Sequence, residues 1–219
     1  MFIGHFALGF AAKRAAPRAQ LAVLFGAAQF ADLLWPLLVA VGIEHVRIDP
    51  GNTAFTPLDF VSYPYSHSLV MLVVWGILFA WAFRATARPR RALILAALVV
   101  SHWVLDFITH RPDMPIYPGG PKVGLELWAS VPATVIVEVA MYIAGVWLYS
   151  SSTRARDGIG RWGFVALTSL LALAYVANLA SPPPPSVNAL LVTAIIGAGV
   201  TMVLTWWTDR HRESTCLTR

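Results

Sequence analysis

The sequence predicts an all-α fold: a polytopic membrane helical bundle of about six transmembrane helices plus a short N-terminal half-helix, forming one domain over residues 1–219. Three observations carry this. Hydrophobic residues make up 58% of the chain and charged residues 12%, with a mean hydropathy of +0.65, far outside the range of an ordinary soluble domain. The apolar residues gather into runs of about 20, the length of helix that crosses a hydrocarbon core. The arginines and lysines gather into alternate connections between those runs, as the positive-inside rule requires.

The half-helix is 1–12, which is apolar and has neither a basic residue ahead of it nor a small-residue cleavage site. A cleaved signal peptide is therefore not expected, and His5 stays in the mature protein. Spans follow at about 20–42, 66–84, 91–110, 130–150, 162–180 and 187–208. Lys13, Arg14 and Arg18 precede the first; Arg84, Arg88, Arg90 and Arg91 separate the second and third; Arg154, Arg156 and Arg161 separate the fourth and fifth; Arg210 and Arg212 follow the sixth. Both termini are then cytoplasmic, and loops 43–65, 111–129 and 181–186 face outward from an inner membrane. Loops 43–65 and 111–129 are long and rich in Pro, Gly and Asp, so they could cover a site. Pro182 to Pro185 reads as a stiff polyproline turn.

Several features carry little. The single cysteine, Cys216, lies in the polar tail and has no partner for an intramolecular disulfide. The pI of 9.8 does not point to nucleic acid, because topology explains the arginines. His45 and His211 sit in polar segments and read as solvated. Trp206 and Trp207 read as interfacial markers, and Gly197 and Gly199 as helix-packing residues.

The chemistry concentrates in Ser101-His102-Trp103-Val104-Leu105-Asp106-Phe107-Ile108-Thr109-His110. Residues four apart share a helical face, so His102, Asp106 and His110 form one polar stripe inside or at the mouth of the bilayer. Such groups cost about 3 kcal/mol each on insertion scales and mark function. With a rise of about 1.5 Å per residue, His67 and His110 fall near the outer boundary, Asp106 about 6 Å down, His102 and Glu138 about 12 Å, and Asp32 about 15 Å. His5, in its half-helix, reaches the same zone from the cytoplasmic side. Taken singly, each of these could be a buried hydrogen-bond partner, His67 and His110 ordinary interfacial residues, and Glu138 a partner of a histidine or a backbone group. Together they read as a metal or proton-handling site. Histidine and carboxylate donors without cysteine suit Zn²⁺, Mn²⁺ or Fe²⁺.

Four pieces occur in a telling order: Gly4-His5, the aspartate of Ala31-Asp32-Leu33-Leu34-Trp35-Pro36, Ser66-His67-Ser68, and Ser101-His102 followed by Asp106 and Thr109. This order, over the first half of the chain, resembles the membrane-bound predicted metal-dependent hydrolases, the family that includes a LexA-regulated inner-membrane protein of bacteria. That family is similar in ligand order to the zinc-dependent phospholipase C and nuclease group. The resemblance implies hydrolysis of a phosphoester by a metal-activated water. The chain departs from the pattern in four places. Leu34 stands where a second aspartate is common, and Ser66 where the family has threonine before the histidine. Thr134 stands in place of the histidine of a closing His-x-x-x-Glu, and His110 is an added histidine. One or two metals are expected rather than three.

The expected roles follow. Asp32, His67, His102 and Asp106 bind metal, with His5 as a further ligand and His110 as an added one or a substrate contact. Glu138 is the general base or a second-metal ligand, and Asp106 a catalytic carboxylate as well as a ligand. Arg111 or Lys122 holds an anionic head group, and the depth of the site favours a membrane lipid or other amphiphile. Three rivals stand beside this reading: a proton- or cation-coupled transporter, favoured by Pro36 inside the first span; a haem-binding electron carrier using His67 and His102, disfavoured by Asp32 and Asp106; and a membrane scaffold.

Overall fold

The computed structural model describes residues 1–84 and 89–215. Arg88, Cys216 and the side chain of Arg84 lie outside the described residues. Among the described residues nine α-helices run in the order α1 (Ile3–Ala15), α2 (Leu21–Ala28), α3 (Phe30–Ala40), α4 (Pro64–His67), α5 (Leu69–Arg84), α6 (Pro89–Thr109), α7 (Val131–Ser152), α8 (Gly158–Ala180) and α9 (Val187–Arg210). Four of them, α6 to α9, are long and apolar enough to cross a membrane, and a fifth span is made if α2 and α3 are taken as one.

Two departures from the expected spans have local causes. The run 20–42 is broken at Gln29, where α2 and α3 meet at a bend of 59°. The interruption does not occur at Pro36, which sits inside α3. The second run is shortened because Ser66-His67-Ser68 does not continue into α5: Pro64–His67 winds its own turn and Ser68 is extended, at φ −74° and ψ 146°. That leaves α5 with 16 residues, about 24 Å of helix.

The two long loops are not irregular throughout. Strand β1 (His45–Ile48) pairs antiparallel with β2 (Leu58–Ser62), and β3 (Met114–Pro115) with β4 (Lys122–Val123). Both ribbons close over one end of the bundle on a small core of Trp35, Val46, Tyr63 and Met114. At the opposite end β5 (Thr153–Ala155) pairs with β6 (Arg212–Ser214).

Burial along α9 is inverted relative to a soluble helix. Its buried positions are Leu191, Thr201, Thr205, Thr208 and Asp209, while Val192, Ile196, Val200, Val203 and Trp206 are exposed. A helix that turns its polar side chains inward and its apolar ones outward is suited to a hydrocarbon surrounding rather than to water. Ile136, Ile143, Trp147, Trp162, Leu173 and Val176 extend that apolar surface over α7 and α8.

Helix α1 is the axis of the bundle, with His5, Phe6, Ala7, Gly9 and Phe10 all buried. It runs parallel to α7: Gly4 N–H meets Glu138, Ala7 lies against Gly145, and the Phe10 and Tyr149 rings are 5.4 Å apart. Gly145 is required here, because a Cβ at that position would stand 2.4 Å from the Ala7 carbonyl oxygen. Phe10 also meets Phe25 edge-on at 4.8 Å. At the far end Lys13 donates to Asp209 at 2.7 Å and to the Ala19 carbonyl. Together these contacts fix α1 lengthwise and set His5 at the level of His102.

Candidate metal centre

The α6 stripe is seen as expected: His102 and Asp106 are both buried on its inner face, with His110 just beyond its end. Asp32 comes from the first turn of α3, His67 from the end of α4 and His5 from α1. Four polypeptide segments thus deliver their polar groups to one point, and the carboxylate of Asp106 is its centre.

The two oxygens of Asp106 face different partners. Oδ1 takes the Met1 amino group at 2.5 Å and His5 Nε2 at 3.0 Å. Oδ2 faces His102 Nε2 at 3.2 Å, His67 Nε2 at 3.8 Å and His110 Nε2 at 4.0 Å. Asp32 Oδ1 stands 3.5 Å from His67 Nε2 and 3.7 Å from His102 Nε2. The His5 and His102 rings are parallel and 3.7 Å apart. All of these side chains are buried except that of Asp32, which is 44% exposed and forms the open side of the cluster.

The far nitrogens of three rings are bound, and those bonds assign the tautomers. His102 Nδ1 lies 2.8 Å from the Ala28 carbonyl, the last carbonyl of α2, which the break at Gln29 leaves without a helical partner. A carbonyl only accepts, so His102 carries its proton on Nδ1. His110 Nδ1 lies 2.9 Å from Asp113 Oδ1. Burial of Asp113 acts to raise its carboxyl, but hydrogen bonds from His110, Tyr63 and Arg111 outweigh this and hold it below the usual range. Asp113 is therefore an acceptor for His110 Nδ1–H. Burial and the Asp113 charge push the Tyr63 phenol well above its usual range, so it donates, at 2.7 Å.

The third case is a relay. Glu44 Oε1 accepts the backbone N–H groups of Tyr65 and Ser66, and its Oε2 accepts the Ser66 hydroxyl at 2.6 Å. With its one proton given to Glu44, Ser66 Oγ accepts from His67 Nδ1, also at 2.6 Å. The order is carboxylate, serine, histidine. That differs from a nucleophilic triad, where the histidine stands in the middle.

His67, His102 and His110 are thereby set to present Nε2 lone pairs toward Asp32 and Asp106. His102 Nε2 is buried with no hydrogen-bond donor to meet it. Protons on two imidazoles could balance two carboxylates, but lone pairs would still face oxygens elsewhere in the cluster. A cation among the Nε2 atoms and carboxylate oxygens would be met by three donor atoms together. Ligands on a tetrahedral ion with bonds of 2.0–2.2 Å stand about 3.4 Å apart, close to the separations of His67 and His102 from the carboxylates. Two overlapping donor groups meet this requirement: His5, His102 and Asp106, and Asp32, His67 and His102. The Nδ1 partners are the kind that ligating histidines use to fix tautomer and ring orientation.

The remaining expected residues are placed as follows. Glu138 Oε2 accepts from Phe2 N–H at 2.8 Å and Gly4 N–H at 3.2 Å, clamping the start of α1, while its Oε1 is buried and unpartnered. Arg111 donates to Asp59 at 2.5 Å and to Asp113 at 3.3 Å. With Arg47, Asp59, Asp113 and Lys122 it lines a cavity of about 480 Å³ above the cluster. Its charge is thus already compensated. His45 is exposed, as expected, whereas His211 meets Asp157 at 2.7 Å. Glu44, Tyr63 and Asp113 were not singled out as site residues from sequence. Only Asp113 left a signal, its spacing three residues after His110.

No family model, curated protein or solved structure matches the chain.

Proposed function

We propose that the protein is a membrane-embedded hydrolase that uses a divalent metal to cleave a phosphoester of a lipid or other amphiphile. The observation that carries the reading is the set of three imidazoles held by Ala28, Asp113 and the Glu44–Ser66 relay, with their Nε2 lone pairs toward Asp32 and Asp106. The motif order His5, Asp32, His67, His102, Asp106, which resembles the metal-dependent membrane hydrolases, supports the reaction class.

Asp32, His67, His102 and Asp106 Oδ2 hold the ion, with His110 at its edge and His5 on the Oδ1 side of Asp106. Bound there, zinc, manganese or iron supplies a Lewis acid and a water that ionises near neutrality. Asp32, the exposed member, is on the route of entry. Glu138 Oε1, buried and without a partner, takes the proton as general base. Arg111 and Lys122 receive the anionic end of the substrate, Arg111 by exchanging Asp59 for it.

The topology that goes with this reading has six passes in an inner membrane. The bent pair α2–α3 is one of them and α5 a short one, with both termini cytoplasmic and the cluster toward the outer face. Cysteines placed at Ala54 and Gly119 are then labelled from outside intact cells; labelling only after lysis overturns the orientation.

One observation favours a second reading. A broken helix beside intramembrane carboxylates is the usual construction of an ion path, and the 59° bend at Gln29 places Asp32 just past such a break. Cation or proton flux in vesicles that persists after the metal is removed supports a transporter over a hydrolase.

The deciding experiment is metal content by mass spectrometry on detergent-purified protein, beside His102→Ala and Asp106→Ala. One or two equivalents in the parent and none in either variant is expected, with phosphoester hydrolysis lost in parallel. A well-folded parent that takes up no metal on reconstitution refutes the proposal.

A further inference from the structure

The two ends of the bundle treat their cations differently. At the ribbon-covered end, Arg47 and Arg111 are both neutralised by Asp59, at 2.7 and 2.5 Å. At the opposite end a cleft of about 240 Å³ is lined by five cationic side chains, Lys13, Arg18, Arg156, Arg210 and Arg212, against only Asp209 and Glu213.

Three of those seven groups are committed to the fold. Lys13 and Asp209 are buried against each other, and Asp209 also accepts the Tyr149 hydroxyl and Leu21 N–H. Arg212 donates to Thr153 Oγ1 and the Gly160 carbonyl while lying over the Tyr149 and Phe164 rings. It is a wall of the cleft, with its donors used. Three arginines remain. Arg18 forms no ion pair among the described residues, and Arg210 only lies over the Trp206 ring at 4.8 Å. Arg156 meets the exposed Glu213 no closer than 3.8 Å. They come from three separate segments, the α1–α2 connection, the end of β5 and the end of α9, and converge on one concave surface.

Exposed Trp162, Trp206 and Trp207 ring this end, and tryptophans of this kind sit at the level of lipid head groups. A concave surplus of guanidinium at that depth matches a phosphate whose own alkyl chains lie along the apolar faces of α8 and α9. We propose that this cleft is a binding site for the phosphate head group of an anionic phospholipid, held chiefly by Arg18, Arg156 and Arg210. It is separate from the metal cluster and does not depend on it.

The test uses the full-length protein in detergent, with native mass spectrometry to count retained lipid and thermal unfolding to read its effect. The probes are phosphatidylglycerol, phosphatidylcholine at the same mole fraction, and inorganic phosphate. The parent should retain about one phosphatidylglycerol per chain and gain stability from it. In Arg18→Gln/Arg210→Gln the affinity should fall about 30-fold, the product of two surface cations. The equal charge change Arg90→Gln/Arg91→Gln, at two residues that do not line the cleft, should leave it unaltered. Equal loss in both double variants means general charge attraction and overturns the site. Equal retention of phosphatidylcholine, or equal stabilisation by inorganic phosphate, overturns the anionic lipid as the ligand.

Discussion

Ser66 Oγ stands 2.6 Å from His67 Nδ1 and, through its one proton, hangs on Glu44. The direction of this chain can be inverted by one atom. In Glu44→Gln the amide oxygen stays on the two backbone N–H groups of Tyr65 and Ser66, which leaves the amide NH₂ facing Ser66 Oγ. The hydroxyl must then donate to His67 Nδ1, moving the imidazole proton to Nε2, where it blocks ligation. Metal affinity is expected to drop about 10- to 100-fold in Glu44→Gln and less in Ser66→Ala, which removes the relay without reversing it. Metal titration of the two variants checks the order; equal effects would show that the direction of the bonds does not matter.

Much of this cluster is legible in the sequence. The i, i+4 spacing of His102, Asp106 and His110 needs only a helix, and Asp32, His67 and His5 stand out because ionisable groups are rare in apolar runs. What completes the site was not legible. Glu44, Tyr63 and Asp113 lie in segments that read as polar loops, and only the pairing of β1 with β2 and β3 with β4 folds them onto the histidines. The break at Gln29 has no glycine or proline at the break itself, Gly26 lying within α2, and Pro36, which does carry a breaker's chemistry, is accommodated within α3.

The Lys13–Asp209 pair ties the first helix to the last at 2.7 Å, with both side chains less than a tenth exposed. Removing one partner strands the other, and Asp209 also serves Leu21 N–H and the Tyr149 hydroxyl. Lys13→Ala is expected to cost about 3–5 kcal/mol, and Lys13→Met/Asp209→Leu less than the single change. Unfolding in detergent measures both. Additive losses in the double variant would mean that the pair is not coupled.

Gly145 decides whether α1 can lie where it does. A methyl group there meets the Ala7 carbonyl oxygen at 2.4 Å, a backbone atom with no rotamer to yield. Gly145→Ala is expected to destabilise by about 1–3 kcal/mol and, since α1 carries His5, to weaken metal retention as well. Gly197→Ala, where nothing lies within 4 Å, is the control and should leave both unaltered. A Gly145→Ala protein with parental stability would show that α1 shifts freely on α7.

The observed clamp and the proposed base of Glu138 separate by substitution. Oε2 holds Phe2 N–H and Gly4 N–H at the start of α1, whereas Oε1 has no partner. Glutamine keeps an oxygen for the clamp and puts an amide where the proton acceptor stood. Glu138→Gln is therefore expected to fold and bind metal like the parent while turnover falls about 10²- to 10⁴-fold. Glu138→Ala should also lose about 1–3 kcal/mol of stability through the two stranded amides. If Glu138→Gln turns over at the parental rate, Glu138 is a clamp alone, and the base must be sought among the carboxylates of the cluster itself, with the exposed Asp32 first.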